Sequence, residues 1–224
     1  MSIIFANPPK VEDWLRVLGS YAGRDKALRS LCFGLILAST KQKNAILASG
    51  LQSLAKQISQ ARTVARQLNH GPLIVATTKL YEAIRLASDK VDASLNFFVM
   101  TAYVVYQFSE LFAWLSDAKV LQLNSEPFYR WGIYSWVAAL AAGIIQILRR
   151  ILIIEPSEDR LNAPEKSKLA ARRMDRITLV GLFADLVGGV NMLPHRFLWA
   201  GRLNQKTSAT FFLIASLIGL YKLF

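Results

Sequence analysis

The stretch WGIYSWVAALAAGIIQIL, Trp131 to Leu148, decides how this chain is read: eighteen residues without a charge, opened by Trp131, Tyr134 and Trp136 and stopped by Arg149 and Arg150. As a helix it would span roughly 27 Å at ~1.5 Å per residue, close to the ~30 Å hydrocarbon thickness of a bilayer. Aromatic residues at one end and arginines at the other suit the two interfaces. A core helix of a soluble protein ordinarily keeps a polar face, and this segment has none. It is expected to be a transmembrane anchor.

Working outward, the 224 residues are 53% hydrophobic, with a mean hydropathy of +0.30 and a net charge of +12. That is too apolar for an ordinary soluble domain and too charged for a multi-span transporter. The 27 basic residues against 15 acidic ones form no dense block. The expected partner is therefore a phospholipid membrane, preferably anionic, rather than nucleic acid. A single cysteine, Cys32, allows no intramolecular disulfide. The start, MSIIFANPPKVEDW, lacks the basic opening and the apolar run of about 7–15 residues of a signal peptide. Lys222-Leu223-Phe224 is not a Ser-Lys-Leu peroxisomal address, so insertion is expected to use internal information.

The expected fold class is all-α: a membrane-associated helical protein with an amphipathic interfacial helix and one to three membrane-embedded helices. Residues 1–130 form an N-terminal helical region, 131–148 the anchor, 149–206 a basic loop and helix, and 207–224 a second membrane segment. Asn7-Pro8 resembles a helix cap, and Val11, Trp14, Leu15 and Leu18 recur at helical spacing up to Gly19-Ser20. A charged turn, Gly23 to Lys26, is expected before a second series at Leu28, Leu31, Cys32 and Leu35.

The clearest periodicity runs from Asn44 to Leu68. Leu47, Leu51, Leu54, Ile58, Ala61, Ala65 and Leu68 fall at steps of three and four, one face of a helix without an acidic residue. That pattern suits an in-plane helix with these side chains inserted in a membrane, Lys56, Arg62 and Arg66 reaching headgroups. The same stripe would equally pack against its own protein or a partner helix.

Residues 72 to 92 continue as helix and end in the charges from Asp89 to Asp92. Leu95 to Leu115 is apolar and aromatic, but Asn96, Gln107 and Glu110 argue against a simple span and for a buried or half-embedded helix. Beyond the anchor, Glu155 to Arg176 is polar and basic. A helix from Pro164 runs through Ile177, Leu182 and Leu186, and Gly188-Gly189 and Pro194 are read as ending it. Asp185 is read as a polar-face residue, the alternative being an intramembrane carboxylate. Thr207 to Tyr221 is a second uncharged segment, short for a span. Small residues at Ser135, Ala139 and Gly143, and at Ala215 and Gly219, permit close helix contact and self-association.

No chemistry stands out. His70 and His195 lie far apart and outside any metal-ligand spacing, and the phosphate-binding and nucleophile-elbow glycine motifs are missing. No enzyme activity, cofactor or metal is expected.

Three segments in order, Ser20-Tyr21-Ala22-Gly23-Arg24-Asp25-Lys26-Ala27-Leu28-Arg29, LFAWLSDAKVL at 111–121 and DLVGGVNMLPHRFLWAGR at 185–202, resemble the peroxin-11 family. The tail, with Leu193-Pro194, Leu198-Trp199 and Ala200-Gly201-Arg202, looks most like its gamma or C-type branch. The resemblance implies an integral protein of the peroxisomal membrane that elongates the organelle and prepares its division through an N-terminal amphipathic helix, here 44–68. It also implies a fission adaptor and a dynamin-related GTPase as partners, and a pore for small metabolites as a second role, for which Glu110, Asp185 and Arg202 are the polar candidates; a third reading is a passive adaptor whose helix faces only recruit fission proteins. Both termini in the cytosol, as the family is described, would put 149–206 in the matrix, whereas its basic flanks favour the cytosol. The residues by themselves read Gly23 to Arg29 as a charged helix junction with an i, i+4 pair between Asp25 and Arg29.

Overall fold

Short polar breaks cut the chain into helices, and most breaks carry their own cap. Ser20 Oγ accepts from the Gly23 amide, Asn44 Oδ1 from Ile46 and Leu47, Asp89 Oδ1 from Val91 and Asp92, and Asn204 Oδ1 from Thr207. Each satisfies amides that a helix start leaves without partners. The computed structural model describes residues 9–155, 165–194 and 197–224, the side chains of 165–167 excepted. The expected cap at Asn7-Pro8, the helix start at Pro164, and His195 lie outside the described residues.

In order, the helices are α1 (Val11–Gly19), α2 (Tyr21–Lys41), α3 (Ala45–Gln67), α4 (His70–Leu86), α5 (Lys90–Asp117), α6 (Glu126–Arg149), α7 (Glu165–Asn191) and α8 (Gln205–Tyr221). A π-helical turn, Arg150–Ile154, prolongs α6. No strand occurs among the described residues, and the fold is all-α.

Three boundaries differ from the sequence expectation. Gly23 to Lys26 is no turn but part of the opening of α2, because Ser20 caps there. Asp89 to Asp92 does not close a helix; Asp89 caps α5 and Asp92 sits in its first turn. Gly188-Gly189 does not end α7, which continues to Asn191. Both glycines are there for close approach: a Cβ on Gly188 would lie 2.4 Å from the Phe212 ring, and one on Gly189 3.2 Å from Trp136.

α5 and α6 form an antiparallel hairpin. At one end Arg149 pairs with Asp89, and at the other Tyr129 donates to Asp117 at 2.6 Å. Among the described residues a ring of packed helices runs α2, α3, α5, α6, α7, α8 and back to α2, with α1 packed on α2 and α4 on α5. Leu140 and Ala113 are fully covered in it, and Val190, Leu193 and Ala200 gather Ile133, Val137, Leu186 and Trp199 into a core at the α6–α7 end.

Among the described residues, two helices are long and apolar enough to cross a membrane: Lys90–Asp117, with a mean hydropathy of 1.2 over its best window, and Glu126–Ile154, with 2.0. α5 qualifies by length and composition alone; its Glu110 is buried and paired with Arg66. α8, at 17 residues, remains short.

Candidate functional site

α3 presents two different faces. Leu47, Leu54, Ala61 and Leu68 recur every seventh residue, so on a helix each lies only ~20° from the last, forming a ridge. That ridge points away from the bundle: Leu47 is 48% exposed, Leu54 46% and Leu68 86%. Ile46 and Val64 extend it along one flank. Leu51, Ile58 and Ala65, expected on the same inserting stripe, are half-buried instead. They lie between the ridge and the face that docks on α2, where Ala55 is buried and its carbonyl accepts from Cys32 Sγ at 3.3 Å. Lys56 stays outward.

Arg62 and Arg66, expected at headgroups, are turned inward in this fold. Arg62 Nε donates to Asp25 at 2.9 Å, and Arg66 holds Glu110 through Nε at 2.6 Å and Nη2 at 2.5 Å, with Asp25 3.8 Å from its Nη1. Tyr106 also donates to Glu110, at 3.2 Å. Helix periodicity gave these arginines a flank position correctly, but a flank can face either lipid or a neighbouring helix. Carboxylates on α2 and α5 decided it. Burial alone would push the Asp25 carboxyl up; Arg62 and then Arg66 more than offset this and hold it below the usual carboxylate range.

The first and third family-like segments meet across the ring. Arg29 pairs with Asp185 rather than with Asp25, through two hydrogen bonds of 3.0 and 2.5 Å. Asp185 is therefore neither a solvated polar-face residue nor an unpaired intramembrane carboxylate. The guanidinium also lies 5.4 to 5.9 Å from the ring centroids of Phe33, Trp136 and Phe212. Gly23 has room for no side chain, since a Cβ would meet the Val17 carbonyl oxygen at 1.9 Å, and Arg24 donates to the last carbonyls of α1, Leu18 and Gly19. In the tail, Asn191 exchanges hydrogen bonds with Leu203, Trp199 donates to the Val187 carbonyl, and Gly201 adopts φ 70°, a left-handed turn. These motif residues build the corners of the ring. Sequence alone offered one signal for this, the presence of charges inside otherwise apolar helices.

The small-residue positions are used within the chain. Ala139 is buried, a Cβ on Gly143 would lie 3.5 Å from Leu182 of α7, and Ser135, half-buried, donates to the Trp131 carbonyl. Ala215 is buried and Gly219 lies under the Lys26 side chain. Contact between helices at these positions is thus intramolecular, and Ala139 and Gly143 are not open to a second copy in this arrangement. At the end of α6, Arg150 lies 3.5 Å from Asp175, and Glu155 accepts from Arg176 at 3.4 Å, so part of the basic 149–206 segment is neutralised by its own acids. No group of three or more His, Cys, Asp or Glu side chains able to hold a metal occurs among the described residues.

The ring positions these charges in a way that extends over nearly the whole chain, and so does its likeness to known proteins. A profile of the family described as peroxisomal biogenesis factor 11 (PEX11) matches residues 11–224. The chain belongs to that family. It is 26% identical to human peroxisomal membrane protein 11C over 219 residues, covering 92% of this chain and 90% of the human one. Mouse peroxisomal membrane protein 11C is 26% identical over 202 residues, 83% of this chain and 82% of its own. The Saccharomyces cerevisiae peroxisomal membrane protein PMP27 is 29% identical over 146 residues, 64% of this chain and 60% of its own. No solved structure matches.

Proposed function

We propose that this PEX11-family chain is an integral protein of the peroxisomal membrane that bends and elongates it through the outer ridge of α3. The observation that carries the reading is the exposure of Leu47, Leu54 and Leu68 in line on a helix whose other face is fixed by Arg62 and Arg66. A docked helix with an apolar ridge can seat those side chains below the headgroups of one leaflet, expanding it, while Lys56 attracts anionic lipid. Arg62 and Arg66 act here as the clamp that holds the ridge to the body; they would meet headgroups only if α3 left the ring. α5 and α6 supply the anchor, and the names of the human, mouse and yeast relatives support the organelle.

Reconstitution of the full chain into liposomes containing anionic lipid tests this. Wild type draws them into tubules, and a Leu47→Glu, Leu54→Glu double variant binds through its anchors but leaves them spherical. Equal tubulation by both proteins would remove the ridge from the mechanism. Recruitment of a fission adaptor and a dynamin-related GTPase belongs to the same reading and rests on family likeness.

One observation favours a second reading, a pore for small metabolites. Glu110 and Asp185 both line a cavity at the centre of the ring, although Arg202 does not. Size-selective conductance in planar bilayers that changes in Asp185→Asn supports a pore, and silent bilayers dismiss it.

A further inference from the structure

The ring surrounds a half-open cavity of about 580 Å³, within the roughly 300–1,000 Å³ that holds a small organic ligand. Three carboxylates line it, Asp25, Glu110 and Asp185, against four cations, Lys26, Arg29, Arg62 and Arg66. Every carboxylate is taken: Asp25 by Arg62 and Arg66, Glu110 by Arg66, and Asp185 by Arg29. Among the described residues Lys26 has no carboxylate within ion-pair distance and its ammonium donates no hydrogen bond; the far end of its side chain, Nζ included, lies against Gly219. The lining therefore carries one positive charge in excess, in a place where charge is poorly hydrated.

Gln107 also lines the cavity, at 8% exposure; its unpaired Oε1 is an acceptor and offers nothing to an anion. Aromatic rings, Phe33, Tyr103, Trp136 and Phe212 among them, form part of the remaining wall, beside the polar Ser59, Gln60 and Thr63.

We propose that this chamber is a binding site for an organic monoanion with a flat apolar body, an aromatic carboxylate being the simplest member. Lys26 pairs with the carboxylate, and the rings cover the body. A monoanion matches the single excess charge, whereas a phosphate carrying up to two charges leaves one uncompensated. Burial, with Arg29 adding, lowers the Lys26 pKa, and a bound carboxylate relieves both effects. The site is separate from the α3 ridge, since neither Leu47 nor Leu54 lines it.

The test uses the full chain in nanodiscs of zwitterionic lipid, with sodium benzoate as the probe and benzyl alcohol and inorganic phosphate as controls. Benzoate should raise the melting temperature saturably and slow acetylation of Lys26, read by mass spectrometry, about tenfold. Benzyl alcohol lacks the charge and phosphate lacks the ring, so each should need at least about tenfold higher concentration. Lys26→Met, which keeps the stem over Gly219, should lose the benzoate response, and Lys26→Arg should keep it. The proposal is overturned if benzoate changes neither readout of the wild type, if either control matches it, or if Lys26→Met responds like wild type. The labelling readout needs no variant, so a misfolded Lys26→Met protein leaves the proposal decidable. Loss of benzoate binding would leave tubulation by the α3 ridge untouched, and the reverse also holds.

Discussion

Arg29 of α2 and Asp185 of α7, 156 residues apart, meet in a two-bond pair at 3.0 and 2.5 Å, with side chains only 10% and 13% exposed. The pair spans the ring, tying α2 to α7 across its interior. Removing one partner leaves the other charge buried, which typically costs about 3–5 kcal/mol, whereas replacing both with apolar residues of similar size is often neutral. Asp185→Leu alone should therefore lower the melting temperature of the detergent-solubilised protein sharply, and Arg29→Met with Asp185→Leu should regain most of it. A double variant no better than Asp185→Leu would show that the loss does not come from leaving the Arg29 charge unpaired.

Acid should loosen α3. The Asp25 carboxyl is held below its unfolded value, so its contribution to stability is complete above about pH 4 and fades as pH falls through the depressed folded pKa. Limited proteolysis at the polar break between α2 and α3 should accelerate as pH is lowered below about 4. Asp25→Asn should be less stable at neutral pH and show a weaker acceleration across that window.

Glycines divide into those that must stay and those that need not. Gly23→Ala drives a Cβ into the Val17 carbonyl and Gly188→Ala drives one into Phe212, so each should cost about 1–3 kcal/mol. A Cβ at Gly34 or Gly50 meets nothing within 4 Å. Both lie inside helices, where Gly→Ala should stabilise by about 0.5–1 kcal/mol. Thermal unfolding of the four single variants checks the order.

Leu54 and its neighbour Ala55 should behave oppositely. Leu54→Glu changes an exposed ridge position and should alter stability by no more than about 0.5 kcal/mol. Ala55→Leu forces a larger side chain against Cys32 where α3 meets α2, and should cost about 1–3 kcal/mol. Chemical unfolding measures both, and membrane deformation should be lost in the first only.

Local order was legible in the sequence wherever one helix's own period decides it. The stripe from Asn44 to Leu68 gave α3 to within a residue at each end, and the uncharged run from Trp131 to Leu148 lies wholly inside α6. Glu110 by itself argues for a buried or half-embedded helix, and its carboxylate is indeed buried, but the partner that holds it, Arg66 of α3, could not be read from one helix's period. Gly188-Gly189 misled for a related reason: glycine can mark a helix end or a close approach, and only the position of Phe212 and Trp136 separates the two.

The sequence by itself determined an all-helical, membrane-compatible chain, because hydrophobic period, uncharged length and capping residues act over a few turns of one helix; its membership of the PEX11 family rests separately on likeness along residues 11–224. Tertiary structure alone decided which charges are buried. Asp25 with Arg62, Glu110 with Arg66 and Asp185 with Arg29 join residues 37, 44 and 156 positions apart. No helical repeat encodes such pairing; it follows from which helices lie side by side once the ring has closed.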